Sequence, residues 1–314
     1  MSTSGTAAFN LDLSEIVEEA FERCGAELRT GYDFKTARRS LNLMFADWAN
    51  RGINMWTMEP VTINLVPGQS SYLIPADTVD LLEHVIRTGA NVAATQADLT
   101  LTRISVSTYA TIPNKSQQAR PIQLLMNRMN GQVMPSNTTF PRTNPFITAT
   151  ITATDTEIPV SDASGLPSYG FVVIGIEVIF YSYIANNTLY GCFRGQGTGI
   201  AQAHSLGAGV SLYNSPSVTL WPVPDNSQAY QLVYWRLRRM QDAGNGTDTM
   251  DVPFRFVPAM VAGLAYYLAM KIPGADARMM ALKAQYDEAW QLASEEDREK
   301  AAVRFVPREM YIGG

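Results

Sequence analysis

Apolar residues near both ends of the chain recur every three or four positions, which is the spacing of an amphipathic helix. The spacing predicts four helices, at residues 12–29, at 33–50, between Pro253 and Pro273, and at 275–300. Asp12 and Glu15 have the spacing of a capping box at the first helix. Gly52 lies just beyond the second helix, where a C-terminal cap is expected. Because the link between the first two helices is short, we expect them to form an antiparallel hairpin.

In the middle of the chain apolar residues alternate with polar ones, and this pattern is typical of strands. The strand-like runs are short and lie at residues 61–66, 71–74, 82–87, 101–106, 122–126, 217–221 and 230–237. Turn residues separate them, such as the Pro-Gly-Gln sequence at 67–69. We expect these runs to form a small antiparallel sheet with loops.

Residues 146–213 differ from the rest of the chain because they contain few charged side chains and many Ile, Val, Thr and Gly residues. Pro145 and Pro216 flank the segment, and Asn186 with Asn187 has the composition of a tight hairpin turn. Several apolar runs in the segment do not alternate, so both faces of those strands should be covered. The pattern predicts a β module inserted between two strands of the host sheet.

Together these patterns predict an α+β fold, in which N- and C-terminal helices form a helical bundle beside a small antiparallel β region and an inserted all-β domain. The predicted organisation is a core made of residues 1–145 and 214–300, the inserted module at 146–213, and an extended C-terminal tail at 301–314.

The charge content restricts the classes of function. Charged residues make up 17% of the 314 residues, against about 25% in a typical soluble chain. The net charge of −5 excludes a basic protein that binds nucleic acid through its whole surface. A surface with so few charges indicates that much of it is covered by other molecules.

Cysteine and histidine are scarce, with two residues of each type, which excludes a disulfide scaffold and a histidine-rich metal site. No apolar run reaches the roughly 20 residues of a membrane helix. The first eight residues lack the charged and apolar regions of a secretory signal, so we expect a cytoplasmic protein or a part of an assembly made there.

No motif indicates catalysis. The Gly-rich stretch at 195–199 lacks both the Lys-Ser or Lys-Thr pair and the following helix of a phosphate-binding loop, so we interpret it as a hairpin or loop. His84 lies in a strand-like run and His204 in a polar loop, and neither has the context of a nucleophile elbow. We therefore expect no enzyme, no catalytic residue, no cofactor and no metal.

Five arginines are candidates for a subunit interface or for contacts with DNA: Arg38, Arg39, Arg236, Arg238 and Arg239. On a strand, Arg236 and Arg238 share one face. A basic patch flanked by aromatic residues suits nucleic acid, whereas a solvated strand face or salt bridges to a neighbouring subunit explain the same pattern.

An ordered set of short motifs runs along most of the chain. They are IVEEA (16–20), RRSLN (38–42), DWANRG (47–52) with Trp56, GQSSYLIPADTVD (68–80), IPNK (112–115), RP (120–121), LWPVPD (220–225), VP (252–253) and LAYYLA (264–269). In this order they resemble the head-to-tail adaptor proteins of short-tailed bacteriophages, also called tail accessory or tail tubular proteins. The likeness covers about residues 1–145 and 214–300. Residues 146–213 depart from the short form of that family and resemble a small β module that recurs in phage virion proteins.

The resemblance implies a structural virion protein rather than an enzyme. Such adaptors form a ring, usually a dodecamer, at the head-tail junction, where they join the portal protein to the next tail component, a nozzle or tail tube. Genomic DNA passes through the ring without sequence-specific binding, and no membrane is involved. The resemblance also implies that the C-terminal tail docks on the portal, through Arg304, Phe305, Val306, Pro307, Arg308, Met310 and Tyr311.

The residues are also compatible with a second class of function. The β module carries an aromatic set that could form a platform for a glycan or receptor: Tyr169, Phe180, Tyr181, Tyr183 and Tyr190. The chain would then be a tail-associated protein that binds a receptor or a glycan through the module. Ring assembly on a portal favours the adaptor, and glycan binding favours the alternative.

Overall fold

A computed structural model describes residue 5 and residues 11–52, 55–89, 95–128, 132–134, 145–197 and 199–298. The chain divides into two compact units. The first unit comprises Met1–Met58 with Arg239–Gly314, and the second comprises Glu59–Arg238. The module boundaries predicted at 146 and 213 fall inside the second unit.

Five α-helices occur in the described residues: α1 (Leu13–Cys24), α2 (Gly31–Ala49), α3 (Val106–Ala110), α4 (Val257–Ala269) and α5 (Asp276–Glu296). All except α3 belong to the first unit, where they bury one apolar cluster around α4. Gly263 in α4 permits the close approach of its neighbours, because a Cβ there would lie 2.5 Å from Met44 Sδ and 2.8 Å from the Tyr286 ring.

The ends of the first two helices have identifiable causes. The capping box of α1 is confirmed, since the Asp12 side chain accepts from the Glu15 N–H and Glu15 accepts from the Asp12 N–H. Gly25, at φ +76°, ends α1 earlier than predicted, because the left-handed conformation cannot continue a helix. The expectation that Gly52 caps α2 is wrong, since α2 ends at Ala49 and Asn50 is its C-cap.

Fifteen strands occur in the described residues: β1 (Met58–Asn64), β2 (Ser71–Leu73), β3 (Thr78–Thr88), β4 (Ala97–Thr100), β5 (Thr102–Arg103), β6 (Gln123–Asn127), β7 (Gln132–Met134), β8 (Glu157–Pro159), β9 (Gly170–Ile174), β10 (Glu177–Tyr181), β11 (Tyr183–Ala185), β12 (Thr188–Tyr190), β13 (Val210–Asn214), β14 (Ser217–Trp221) and β15 (Tyr230–Arg238). They form four sheets with the strand orders β1-β15-β3-β4, β2-β14-β6-β5, β10-β9-β13-β7 and β11-β12-β8. The predicted hairpin turn is confirmed, since Asn186 and Asn187 both have positive φ and join β11 to β12.

The predicted fold class is wrong. The prediction was an α+β fold in which N- and C-terminal helices form a helical bundle, with a small antiparallel β region and an inserted all-β domain. It is contradicted because the described residues are mostly β, with strands in four sheets. Strand pairing extends well beyond the apolar alternation that the sequence displays. β3, for example, continues from Thr78 to Thr88 because it pairs with β15 on one side and with β4 on the other.

The second unit contains two separate apolar clusters. One involves β2, β3, β6, β14 and β15 of the host sheets, and the other lies entirely within residues 147–212. The two ends of the segment predicted as an insertion are hydrogen-bonded to each other, and its last strand, β13, also pairs with β7 from before the segment. The Val210 N–H donates to the Pro145 carbonyl at 2.7 Å, and the Ile147 N–H donates to the Ala208 carbonyl at 2.9 Å.

Candidate functional site

The first candidate site is a group of aromatic rings in the first unit, formed by Trp48, Trp56, Phe256 and Trp290, which we call the tryptophan cluster. The ring centroids of Trp48 and Trp290 lie 4.7 Å apart, as do those of Trp56 and Phe256. Trp48 is completely buried, and its indole Nε1 donates to the Tyr286 hydroxyl at 2.7 Å. The cluster therefore fixes α2 against α5 by both packing and a buried hydrogen bond.

Arg51 covers the solvent side of the tryptophan cluster. Its guanidinium lies 5.0 Å from the Trp290 ring centroid and 5.2 Å from that of Tyr286. The same side chain pairs with Asp47 one helical turn earlier, with an Nη2–Oδ2 distance of 2.6 Å. A planar guanidinium can stack on rings and bind a carboxylate at once, so the motif at 47–52 has a local structural role.

Asp297 holds the end of α5. Its side chain is 3% exposed, pairs with Arg255, and accepts from the Met55 N–H at 2.9 Å. A cavity of about 270 Å³ beside it is lined by Arg51, Phe256, Trp290 and Arg298 among others. The predicted portal-docking tail at 301–314 begins four positions after Asp297 in the sequence.

Replacing Asp297 with asparagine should lower the free energy of unfolding of the first unit by about 2 kcal/mol, because Arg255 loses its anionic partner. Chemical denaturation followed by tryptophan fluorescence measures the change. Asp287→Asn, on an exposed position of the same helix, is the matched control and should stay within about 0.5 kcal/mol of the parent. Equal effects of the two substitutions would contradict the anchoring role of Asp297.

The predicted docking residues of the tail lie outside the described residues: Arg304, Phe305, Val306, Pro307, Arg308, Met310 and Tyr311. Their role stays a prediction.

Of the five candidate arginines, the structure brings Arg236 and Arg238 together. Both bind Glu59, with N–O distances of 2.7 Å each, and Arg236 also pairs with Asp77 at 2.5 Å. Burial alone would raise the pKa of Asp77, but hydrogen bonds from Arg236 lower it below its ordinary value. Arg236 is 7% exposed, so its charge is balanced inside the chain.

The other three arginines belong to the first unit. Arg38 and Arg39 lie on α2, where Arg38 donates to the Gly244 carbonyl at 3.4 Å and Arg39 is exposed. Arg239 is exposed and directly follows β15. The role of all five arginines at a subunit interface or towards DNA stays a prediction.

The aromatic residues of the β module do not form one platform. Phe180 and Tyr181 have no exposed surface. Tyr183 is 54% exposed and stacks on Tyr190, with centroids 5.0 Å apart and planes inclined by 7°. Tyr169 is partly exposed, so three of the five side chains remain accessible.

Sequence reasoning missed a buried charge cluster in the module, formed by Glu177, Arg194 and His204, which we call the Glu177 cluster. Glu177 is completely buried at the start of β10, and its carboxylate accepts from Arg194 at 2.8 and 2.9 Å. His204 Nε2 lies 2.7 Å from the same carboxylate. The N–H groups of Gly195 and Gln202 complete the shell at 3.0 and 3.2 Å.

The Glu177 cluster explains the Gly-rich stretch at 195–199. Loop N–H groups that could hold a phosphate bind the protein's own carboxylate instead. Burial alone would raise the pKa of Glu177, but the hydrogen bonds from Arg194, His204, Gln202 and Gly195 lower it to about 2. The carboxylate is therefore ionised at neutral pH. It holds the loop between Gly195 and Gln202 by accepting hydrogen bonds from both backbone N–H groups.

Within the described residues, no three histidine, cysteine or acidic side chains are grouped so that they could hold a metal ion. None of the helices in the described ranges has the length and apolar character needed to cross a membrane. No protein-family model matches the sequence, and no curated protein matches it.

Proposed function

We propose that the chain is a structural virion protein, the subunit of a head-to-tail adaptor ring. In this proposal a dodecamer joins the portal to the next tail component, a nozzle or tail tube, and extends the channel used in DNA ejection. The observation that carries the proposal is the ordered set of motifs from 16–20 to 264–269. The proposed location is the head-tail junction of the virion, after synthesis in the host cytoplasm.

The contacts made by the motif at 47–52 support this proposal. Trp48 and Arg51 belong to this motif and Trp56 follows it, and all three lie in or on the tryptophan cluster beside the end of α5. A tail that grips a portal transmits load to the helix before it. Asp297 and the tryptophan cluster supply an anchored base at that point.

The charge distribution also supports an adaptor. A ring subunit contacts two lateral neighbours, the portal and the tail, so few of its surface residues need to be charged. The net charge of −5 adds up around a ring and repels DNA phosphates over a distance of about 10 Å. Internal pairing of Arg236 with Glu59 and Asp77 further reduces the positive charge available to hold DNA. DNA would therefore slide through the ring rather than bind to it.

Mixing the purified chain with the portal protein of the same virus tests the proposal. We expect a closed ring on the portal, visible by electron microscopy and by native mass measurement, even where the free chain is monomeric. A portal from an unrelated phage is the control and should recruit no ring. A chain that stays monomeric with its own portal contradicts the adaptor function.

A further inference from the structure

A cleft in the second unit lies between the β module and the loops of the host sheets. Its volume is about 290 Å³, and its prominent side chains are Tyr109, Lys115, Tyr169, Tyr183 and Phe193. We call it the tyrosine cleft. The volume is near the lower end of ligand sites, which run from about 300 to 1,000 Å³, and suits one sugar ring.

Backbone pairing holds the host wall of the cleft in place. The loop before β6 is fixed because Ala119 N–H donates to the Val223 carbonyl and Val223 N–H donates to the Gln117 carbonyl, both at 2.9 Å. Lys115 Nζ donates to the carbonyls of Ala110 and Ile112 at 3.2 and 3.0 Å. The wall is thus preformed, which lowers the entropy cost of binding.

The module wall is equally well fixed. Phe193 exchanges two backbone hydrogen bonds with Phe180, at 3.0 and 2.8 Å, and Ser182 N–H donates to the Tyr190 carbonyl at 2.9 Å. Tyr183 stands on this wall with more than half of its surface exposed, backed by the Tyr190 ring. An exposed ring supported from behind offers a rigid flat face to a ligand.

The polar groups of the cleft are mostly neutral. Burial, and then the adjacent Tyr169 phenol, raise the pKa of Tyr109 above its ordinary value, so its hydroxyl is neutral beside Tyr169. Serine hydroxyls and the Gln118 amide also line the cleft. Aromatic faces combined with neutral hydroxyl and amide groups match a sugar ring, whose C–H face meets the negative face of an aromatic ring while its hydroxyls form hydrogen bonds.

The charge of Lys115 indicates which kind of sugar the cleft favours. Lys115 is the only charged side chain among the described residues that line the cleft, and no carboxylate accompanies it. Its ammonium group lies 5.5 Å from the Tyr109 ring centroid and uses two of its three N–H donors on backbone carbonyls. The third donor can serve an anionic group of a ligand.

We propose that the tyrosine cleft binds an acidic pyranoside, a sugar ring that carries a carboxylate, with its C–H face on Tyr183 and its carboxylate at Lys115. This inference goes beyond the adaptor function and does not depend on it, because the cleft lies within one chain.

Titrating the full chain with methyl glycosides, followed by NMR chemical shifts, tests the inference. The acidic probes are the methyl glycosides of glucuronic acid, galacturonic acid and N-acetylneuraminic acid, and methyl glucoside is the neutral probe. We expect at least one acidic probe to saturate and to bind more tightly than the glucoside. Tyr183→Ala should weaken that binding about tenfold, and Lys115→Met should remove the preference for the acid.

Tyr32→Ala is the matched control, because Tyr32 is 73% exposed in the first unit and should leave binding unchanged. Circular dichroism and the melting temperature show whether each variant is folded. Because Tyr183 is exposed, Tyr183→Ala should leave the fold intact. It therefore still tests the inference if Lys115→Met disturbs the loop. The inference is overturned if no acidic probe saturates, if methyl glucoside binds as tightly, or if Tyr32→Ala weakens binding as much as Tyr183→Ala. Portal-dependent ring formation is a separate readout, so either proposal can fail alone.

Discussion

Replacing Glu177 with glutamine is expected to lower the free energy of unfolding of the second unit by about 3–5 kcal/mol. The substitution keeps the shape of the side chain but leaves the Arg194 guanidinium, only 6% exposed, without its anionic partner. It also weakens the bonds to Gly195 and Gln202 that close the loop. Differential scanning calorimetry should show that the Glu177→Gln variant unfolds at a lower temperature than the parent.

The matched control is Glu157→Gln, which neutralises an exposed carboxylate of the same module. It should change the free energy of unfolding by no more than about 0.5 kcal/mol. If the two variants unfold at the same temperature, the Glu177 cluster does not stabilise the module.

The Glu177 cluster also predicts the response to acid. The folded chain lowers the pKa of Glu177 from 4.5 to about 2, so the unfolded chain binds this proton more readily. Stability from Glu177 is therefore complete above about pH 5 and is lost as the pH falls from about 4.5 towards 2. Urea unfolding across this range should reveal a pH-dependent loss in the parent that is smaller in Glu177→Gln. Parallel curves for the two proteins would contradict the assignment.

Removing residues 301–314 is expected to weaken binding to the portal by about a hundredfold while the melting temperature stays nearly constant. The removed segment contains apolar anchors among positive charges, such as Phe305, Met310 and Tyr311 between Arg304 and the C-terminus. A few buried anchors account for most of the energy of an interface, and every 1.4 kcal/mol changes affinity about tenfold. Sedimentation of the truncated chain with portal rings measures the loss.

Two full-length variants separate the electrostatic and the apolar contributions of the tail to portal binding. Replacing both Arg304 and Arg308 with alanine should weaken binding mainly at low salt, because salt screens charge interactions. Phe305→Ala should weaken binding at all salt concentrations. Asp287→Asn, on an exposed position of α5, serves as the control and should leave portal binding unchanged. Unchanged portal binding by the truncated chain would refute the docking role.

The helices were the most predictable part of the fold, because their caps and apolar stripes are local signals. Asp12 and Glu15 form the predicted capping box, and α1 begins one residue after the predicted start. Its end was missed because Leu28 continues the apolar spacing, while the decisive residue was Gly25 with its positive φ. The left-handed conformation of this glycine thus ended the helix although the apolar spacing continues beyond it.

The sheets were predicted less well, since strands depend on partners that are distant in sequence. The run at 101–106 was predicted as one strand, yet β5 has only two residues and the Ser105 side chain caps α3 by accepting from Thr108 N–H. β3 is longer than its apolar run because two neighbours pair with its polar residues. Such pairing cannot be derived from a local pattern, and for that reason the fold class was wrong.

Of the candidate sites, the Glu177 cluster could have been predicted from the sequence, because it lies in a segment with few charged residues. Arg194 is the only Lys or Arg in residues 146–213, and Glu177 interrupts an apolar run. A buried carboxylate needs a partner, so these two residues could have been paired from the sequence. The tyrosine cleft could not, because Tyr109, Lys115 and Tyr183 come from segments that meet only in the folded second unit.

The paired ends of the inserted segment have a practical consequence for protein engineering. Because Val210 bonds to Pro145 and Ile147 to Ala208, the chain leaves the host and returns to it within one strand spacing, about 5 Å. Strand β7, which precedes this segment, pairs with β13 at Leu212–Asn214, so a replacement has to keep the end of β13. The same position can therefore accept a foreign domain whose termini lie side by side, such as a compact reporter or a display peptide held by a hairpin. It offers a grafting point for labelling the protein.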